Sequence, residues 1–277
     1  MTIGNRVPGI LRVEMGQLLF GRYSAADRAF ERAVREVDRL TNHVTWETFL
    51  GRTRALEEEF AATGGLNPDV QEALDSPYGY FGLSEALTQH LKALELLSDL
   101  EDFATALILT LQTRLAAVDA RALRVYEAAS GDDKITTLPK YEKNQLLRAH
   151  SSFAGIWSLA NYIKHNDEWG PVLEKQQRKT FDALVGLGLA KEVAGVRELE
   201  PWLIVTAVSR ITGKTKLSEG LSEMISICER VCLQALALVQ ADFAPFYAQI
   251  DASREESATR AKLEEARLRA EADDGGT

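Results

Sequence analysis

Phe103-Ala104-Thr105-Ala106-Leu107-Ile108-Leu109-Thr110-Leu111-Gln112-Thr113-Arg114-Leu115-Ala116-Ala117-Val118-Asp119-Ala120-Arg121-Ala122-Leu123-Arg124-Val125 is the stretch that decides the fold. Phe103, Leu107, Leu111, Leu115, Val118, Ala122 and Val125 recur at steps of three and four, the period of a helix with one buried face. No proline or glycine interrupts the chain from Ser84 to Ser130, and Gly131-Asp132-Asp133 closes it. A long core-facing helix is therefore expected here. Ser98-Asp99-Leu100-Glu101 has the form of a capping box, in which the Ser and Glu side chains each satisfy a free backbone N–H, and it predicts a second helix start inside the stretch.

The same reading extends outward. Toward the N-terminus the pattern is helical from Ile10 to Thr63, broken at Gly21 to Ser24 and stopped at Gly64-Gly65. Gly21, Tyr23, Ala26, Phe30 and Ala33 fit one tetratricopeptide-like turn and helix, but no matching unit follows about 34 residues later, so a hairpin is expected and not a solenoid. Asn67-Pro68-Asp69 predicts a helix start, and Asp75 to Gly82 an irregular connection. Beyond the central stretch, Pro139 opens a helix running to about Lys164, and Lys175 to Val193 reads as a further helix. Leu221, Ile225, Cys228, Val231, Ala235, Val239, Phe243, Phe246 and Ile250 mark one long apolar stripe, with a kink expected at Pro245.

The expected fold is all-α: a multi-helix bundle with long antiparallel helices, an N-terminal helical region over 1–76, a central bundle over 77–250 and a polar, solvated helical tail over 251–277. With 277 residues the chain buries enough surface to need no disulfide or metal. Cys228 and Cys232, four apart on the apolar stripe, read as buried reduced thiols. A net charge of -9 disfavours non-specific binding to nucleic acid or anionic membranes, so any nucleic-acid contact has to be local. The apolar run from Ala106 to Gln112 is far shorter than a membrane span needs, and the first residues lack a signal-peptide core. A cytoplasmic protein without a membrane partner is expected.

Chemistry concentrates at Ala160-Asn161-Tyr162-Ile163-Lys164-His165-Asn166-Asp167-Glu168-Trp169. At 100° per residue, Ala149, Phe153, Ile156, Ala160 and Ile163 form a core-facing stripe. His150, Ala154, Trp157, Asn161, Lys164, His165 and Glu168 form a polar line beside it. Structure alone accounts for this line if His165 and Asn161 close a helix end, Glu168 pairs with Lys164 at four-residue spacing, and Trp157 and Trp169 are core.

Ala160-Asn161-Tyr162-Ile163-Lys164-His165 also resembles the R-N-x-x-x-H motif of the HEPN superfamily, with Asn161 and His165 on family positions and Ala160 where the family has arginine. The resemblance implies an all-α, HEPN-like core and an RNA-directed function, as a metal-independent endoribonuclease of the toxin-antitoxin or phage-defence type or as a degenerate version of one. It implies His165 as catalytic acid or base, Asn161 as orienting group and a homodimer with paired motifs at its interface. It also implies attack by the ribose 2′-hydroxyl, which suits a histidine. A cation is needed where phosphate charge builds up, and Lys164 is the one adjacent residue able to replace the missing arginine. His150, Trp157 and Glu168 are the expected substrate-binding residues.

The alternative expectation is a non-enzymatic interaction protein that binds a protein partner through the N-terminal hairpin or the C-terminal tail. No cofactor and no metal are expected. Gly213-Lys214-Thr215 lacks the first glycine of a phosphate-binding loop, because position 208 is Val208. His90, Glu95, Asp99 and Asp102 do not make the paired Glu-x-x-His pattern of a di-iron bundle.

Overall fold

The computed structural model describes residues 25–41, 44–76, 84–130, 151–170 and 172–274. Eight α-helices carry the described residues: α1 (Ala25–Thr41), α2 (Val44–Ala62), α3 (Pro68–Asp75), α4 (Ser84–Ser130), α5 (Ser151–His165), α6 (Lys175–Gly186), α7 (Leu203–Thr212) and α8 (Leu217–Asp274). One 3-10 turn (Asn166–Glu168) follows α5, and one small hairpin of β1 (Ala190–Val193) and β2 (Val196–Leu199) separates α6 from α7. The chain is an all-α multi-helix bundle.

α4 is the axis. Of the seven apolar positions spaced along it, Leu107, Leu111, Leu115, Val118, Ala122 and Val125 are buried. The seventh, Phe103, meets Phe49 of α2 edge to face at 5.9 Å. Each large aliphatic side chain so buried is worth about 1.5–3 kcal/mol over exposure, so this one face anchors the fold. On α8, Leu221, Ile225, Cys228, Val231, Ala235 and Val239 are buried in the same core. Phe30, Ala33, Val37 and Leu40 of α1 join it, so residues on both sides of position 76 share one apolar interior.

Polar ties fix how the helices run. The Phe49–Phe103 contact and the 3.0 Å Lys92–Glu59 ion pair show α2 antiparallel to α4. Leu97 and Leu100 border one cavity with Leu217, while the Tyr126 hydroxyl, a full seven turns further along α4, donates to Asp242 of α8. The antiparallel relation expected of the long helices thus belongs to α2 and α4, and the two longest helices, α4 and α8, run parallel. Burial and the Asp242 contact hold the Tyr126 hydroxyl protonated well beyond the ordinary tyrosine range.

The expected helix start at Ser98 is not used, because α4 continues unbroken through it. Glu101 caps a different helix instead: its carboxylate accepts from the backbone N–H groups of Ile204 and Val205 at 3.1 Å, at the start of α7. Trp202, just before α7, has a left-handed backbone and supplies no side-chain cap, so the cap comes from α4. Glu57 of α2 serves α8 in the same way, accepting from the Ser218 backbone N–H at 3.2 Å and from its hydroxyl. Both helix starts need an acceptor for N–H groups that have no partner within their own helix.

Glu101→Ala is expected to cost about 1–2 kcal/mol in urea denaturation, the size of a lost N-cap. Burial raises the Glu101 carboxyl above its ordinary 4.5, against the pull of the two backbone donors. The folded chain therefore holds that proton more tightly than the unfolded chain. The associated stability is complete below about pH 4.5 and is lost as pH rises through the folded value. Relative to Glu101→Gln, the wild type should lose ground between pH 4.5 and neutrality, and a constant difference would contradict the assignment.

Several other expectations meet the structure directly. Asn67 caps α3 through its side-chain oxygen, and Gly64 and Gly65 end the preceding segment with positive φ. Cys228 and Cys232 are buried free thiols; burial pushes Cys228 up to about 12 and raises Cys232 well above the usual range, so neither is a ready nucleophile. The helix expected over Lys175 to Val193 ends at Gly186, and β1 and β2 pair antiparallel through Ala194-Gly195, both at positive φ. A two-residue loop with that backbone matches the twist of the strands. α8 continues through Pro245 as one helix, and residues 255–267 on it are all exposed. The first arm of the N-terminal hairpin and the segment 131–150, with His150, lie outside the described residues.

Two helices are long and apolar enough to cross a membrane by length and composition, α4 over Glu85–Ala128 and α8 over Leu217–Asp242. Their apolar faces are the core just described, with 44% and 56% of the most apolar windows buried inside the fold.

Candidate functional site

The end of α5 and the start of α6 enclose an open cleft of about 380 Å³. Trp157, Asn161, His165 and Glu168 line one side, so four of the seven residues of the expected polar line face a cavity. Trp169 and the first two turns of α6, with Glu174, Gln177 and Thr180, close the other side. Lys164 is exposed and is not among the residues that line the cleft, although it is next to His165 in the chain. It sits in the last turn of α5, where a cation complements the helix dipole.

The α-helix tightens after His165 into the 3-10 turn Asn166–Glu168. With three residues per turn, positions i and i+3 eclipse. That geometry sets Glu168 Oε2 3.0 Å from His165 Nδ1, in place of the expected pairing of Glu168 with Lys164. The side chains of His165 and Glu168 are 51% and 63% exposed, so the contact adds little stability and the imidazole stays accessible. A carboxylate on Nδ1 favours the proton there and leaves Nε2 as the accepting nitrogen.

Ala160, at the position of the HEPN arginine, is fully buried with Ile156 and Leu159 in the core. Its side chain belongs to the core and is not among the residues that line the cleft. Among the described residues that line it none is lysine or arginine, and Glu168 and Glu174 are the lining carboxylates beside His165. Among the described residues no group of three or more His, Cys, Asp or Glu is placed to hold a metal ion. His90 is buried and structural: its Nδ1 accepts from the Asn67 N–H at 3.0 Å, and its Nε2 lies 3.3 Å from Gln71 Oε1.

Two cleft amides are oriented from behind. Gln112 of α4, itself buried, donates from Nε2 to Asn161 Oδ1 at 2.8 Å. Gln177 accepts from the Glu174 backbone N–H at 2.9 Å, one half of a capping box that starts α6. Trp169 packs edge to face on Tyr162 at 5.2 Å, and its buried Nε1 has no hydrogen-bond partner among the described residues.

Gln112, Glu174, Gln176, Gln177 and Thr180 were not expected at the site. Glu174-x-x-Gln177 is a capping pattern readable in the sequence, and Gln112 is a polar residue on the apolar face of α4, beside Ile108 and Leu115. Neither signal reveals which helix end it will meet. No family model, curated protein or solved structure matches the chain.

Proposed function

We propose that the protein is a HEPN-like, RNA-directed protein whose His165 cleft receives single-stranded RNA. The observation that supports this reading best is an accessible imidazole, fixed by a carboxylate at Nδ1, in a cleft shared with Asn161, the other residue that matches the family motif. In the reaction that the resemblance implies, the ribose 2′-oxygen attacks phosphorus and its proton passes to His165 Nε2. The 5′-oxygen leaves, taking a proton from water, and a 2′,3′-cyclic phosphate remains. Among the described residues of the cleft wall, none other than His165 offsets the charge that builds on phosphate, and a missing donor of that kind costs about 10²–10³ in rate. The degenerate, RNA-binding form of the family is therefore favoured over a fast nuclease.

The test is a fluorescently labelled single-stranded RNA oligomer in EDTA, read for binding by anisotropy and for cyclic-phosphate ends on a gel. Wild type is expected to bind, with slow cutting at most. In His165→Ala, any cleavage should fall about 100-fold or more, as for loss of a general acid or base. A folded wild type that neither binds nor cuts would remove the RNA reading. Sedimentation of the same sample reads whether two copies associate, as the resemblance implies.

One observation favours the second reading, a non-enzymatic interaction protein: α8 runs on past the core as a solvated helix with residues 255–267 exposed. On that reading, removing 251–277 abolishes partner binding and leaves the cleft untouched.

A further inference from the structure

The orientation of the two cleft amides carries more than a general affinity for RNA. Asn161 spends its carbonyl oxygen on Gln112 Nε2, and Gln177 spends its own on the Glu174 backbone N–H. One lone pair of each carbonyl oxygen is thus taken and the oxygen is held toward its partner, while the NH₂ group of each amide, with two donors, is the wholly unused end. Both residues line the same cleft, together with the indole rings of Trp157 and Trp169. Among the described residues the wall thus offers N–H donors and aromatic surface, with no lysine or arginine and with two carboxylates. A bare phosphate is an acceptor, but it is repelled by those carboxylates. A neutral planar group with exposed carbonyl oxygens suits every one of these features, and about 380 Å³ is room for a single base.

We infer that the cleft binds one unstacked nucleobase by its keto edge, preferring uracil and guanine to cytosine and adenine. This rests on the RNA reading above and deepens it. Uracil and guanine carry a carbonyl oxygen at the position where cytosine and adenine carry an amino group. Against donors on the wall, a keto base gains a hydrogen bond, whereas an amino base sets donor against donor and leaves both without partners. Flat stacking on tryptophan adds affinity for any base and does not discriminate. The discrimination therefore comes from the amides, and ultimately from the contacts with Gln112 and Glu174 that turn their carbonyls away.

The experiment measures binding of U10, C10 and A10 RNA oligomers to the full chain by anisotropy, with tryptophan quenching as a second readout. Asn161→Asp and Gln177→Glu each replace an NH₂ donor by an acceptor, and the circular dichroism of each variant is checked first. U10 should bind about tenfold more tightly than C10 and A10, the worth of one unpaired polar contact, and either variant should reduce or reverse that ratio. Ratios are compared because the added negative charge weakens every oligomer. Equal binding of the three oligomers, or a U10 preference unchanged in both variants, overturns the keto-edge inference and leaves the RNA reading intact. If no oligomer binds the folded wild type, the RNA reading falls, and the inference with it.

Discussion

Ala160→Arg, which places an arginine where the HEPN motif that this segment resembles has one, is expected to destabilise the protein by more than about 3 kcal/mol and to give no gain in RNA cleavage. Ala160 is fully buried, flanked on α5 by the equally buried Ile156 and Leu159. A guanidinium forced into that layer overpacks a close-packed interior, which by itself costs about 1–3 kcal/mol. It also loses hydration, and burying a charge that gains no partner is the more expensive part. For a chain of this size, 3 kcal/mol lowers Tm by roughly 6–12 °C, so a thermal melt reads the result directly. Gln176→Arg is the companion variant, because Gln176 is exposed and lines the cleft. It adds a cation where a phosphate would pass, and a surface change of this kind should alter stability by about 0.5 kcal/mol or less. A stable Ala160→Arg protein with new nuclease activity would show that position 160 reaches the substrate, and the account of the cleft would have to be abandoned.

Periodicity was legible where a helix buries one face. The steps of three and four on α4 and α8 picked out residues that are in the core, because the pattern and the packing are one constraint. Local chemistry was legible less reliably. Asn67 caps the helix it precedes, as its sequence neighbourhood indicates. Ser98 to Glu101 has an equally good capping pattern, yet Glu101 reaches α7, 103 residues away. A carboxylate on a helix surface can serve any helix start that packs against it, and sequence spacing does not record which one does. The β hairpin was hidden for a related reason. Its loop is Ala194-Gly195, not the Asn-Gly or Asp-Gly that usually announces two residues at positive φ. Half of the cleft was legible, since Trp157, Asn161, His165 and Glu168 lie on one helix and the turn that follows it. The other half comes from α6, and the orientation of Asn161 comes from Gln112, 49 residues earlier. Those contacts exist only once α4, α5 and α6 are packed.

Packing also carries the second large effect. Phe181→Ala is expected to cost about 3–5 kcal/mol, the usual range for removing a fully buried phenyl ring. Phe181 is 2% exposed and is among the largest of the fully buried side chains, with the Arg178 guanidinium 5.7 Å from its ring centre. It lies on α6 just past the residues that make the cleft wall, one position after Thr180 and four after Gln177. α6 is only 12 residues long, too short to persist as a helix by its own propensity, so its place depends on this buried face. A cavity there loosens α6, and the cleft loses the definition that orients Gln177. Urea denaturation of Phe181→Ala and Phe181→Leu separates the two consequences. The leucine variant refills much of the volume and should recover most of the stability, to within about 1.5 kcal/mol of wild type. If the cleft acts as proposed, U10 preference should fall with the alanine variant even at temperatures where that protein is fully folded, and return with leucine. A Phe181→Ala protein as stable as wild type would mean that α6 is held by its polar contacts, such as the Arg178–Glu192 ion pair, and not by the core.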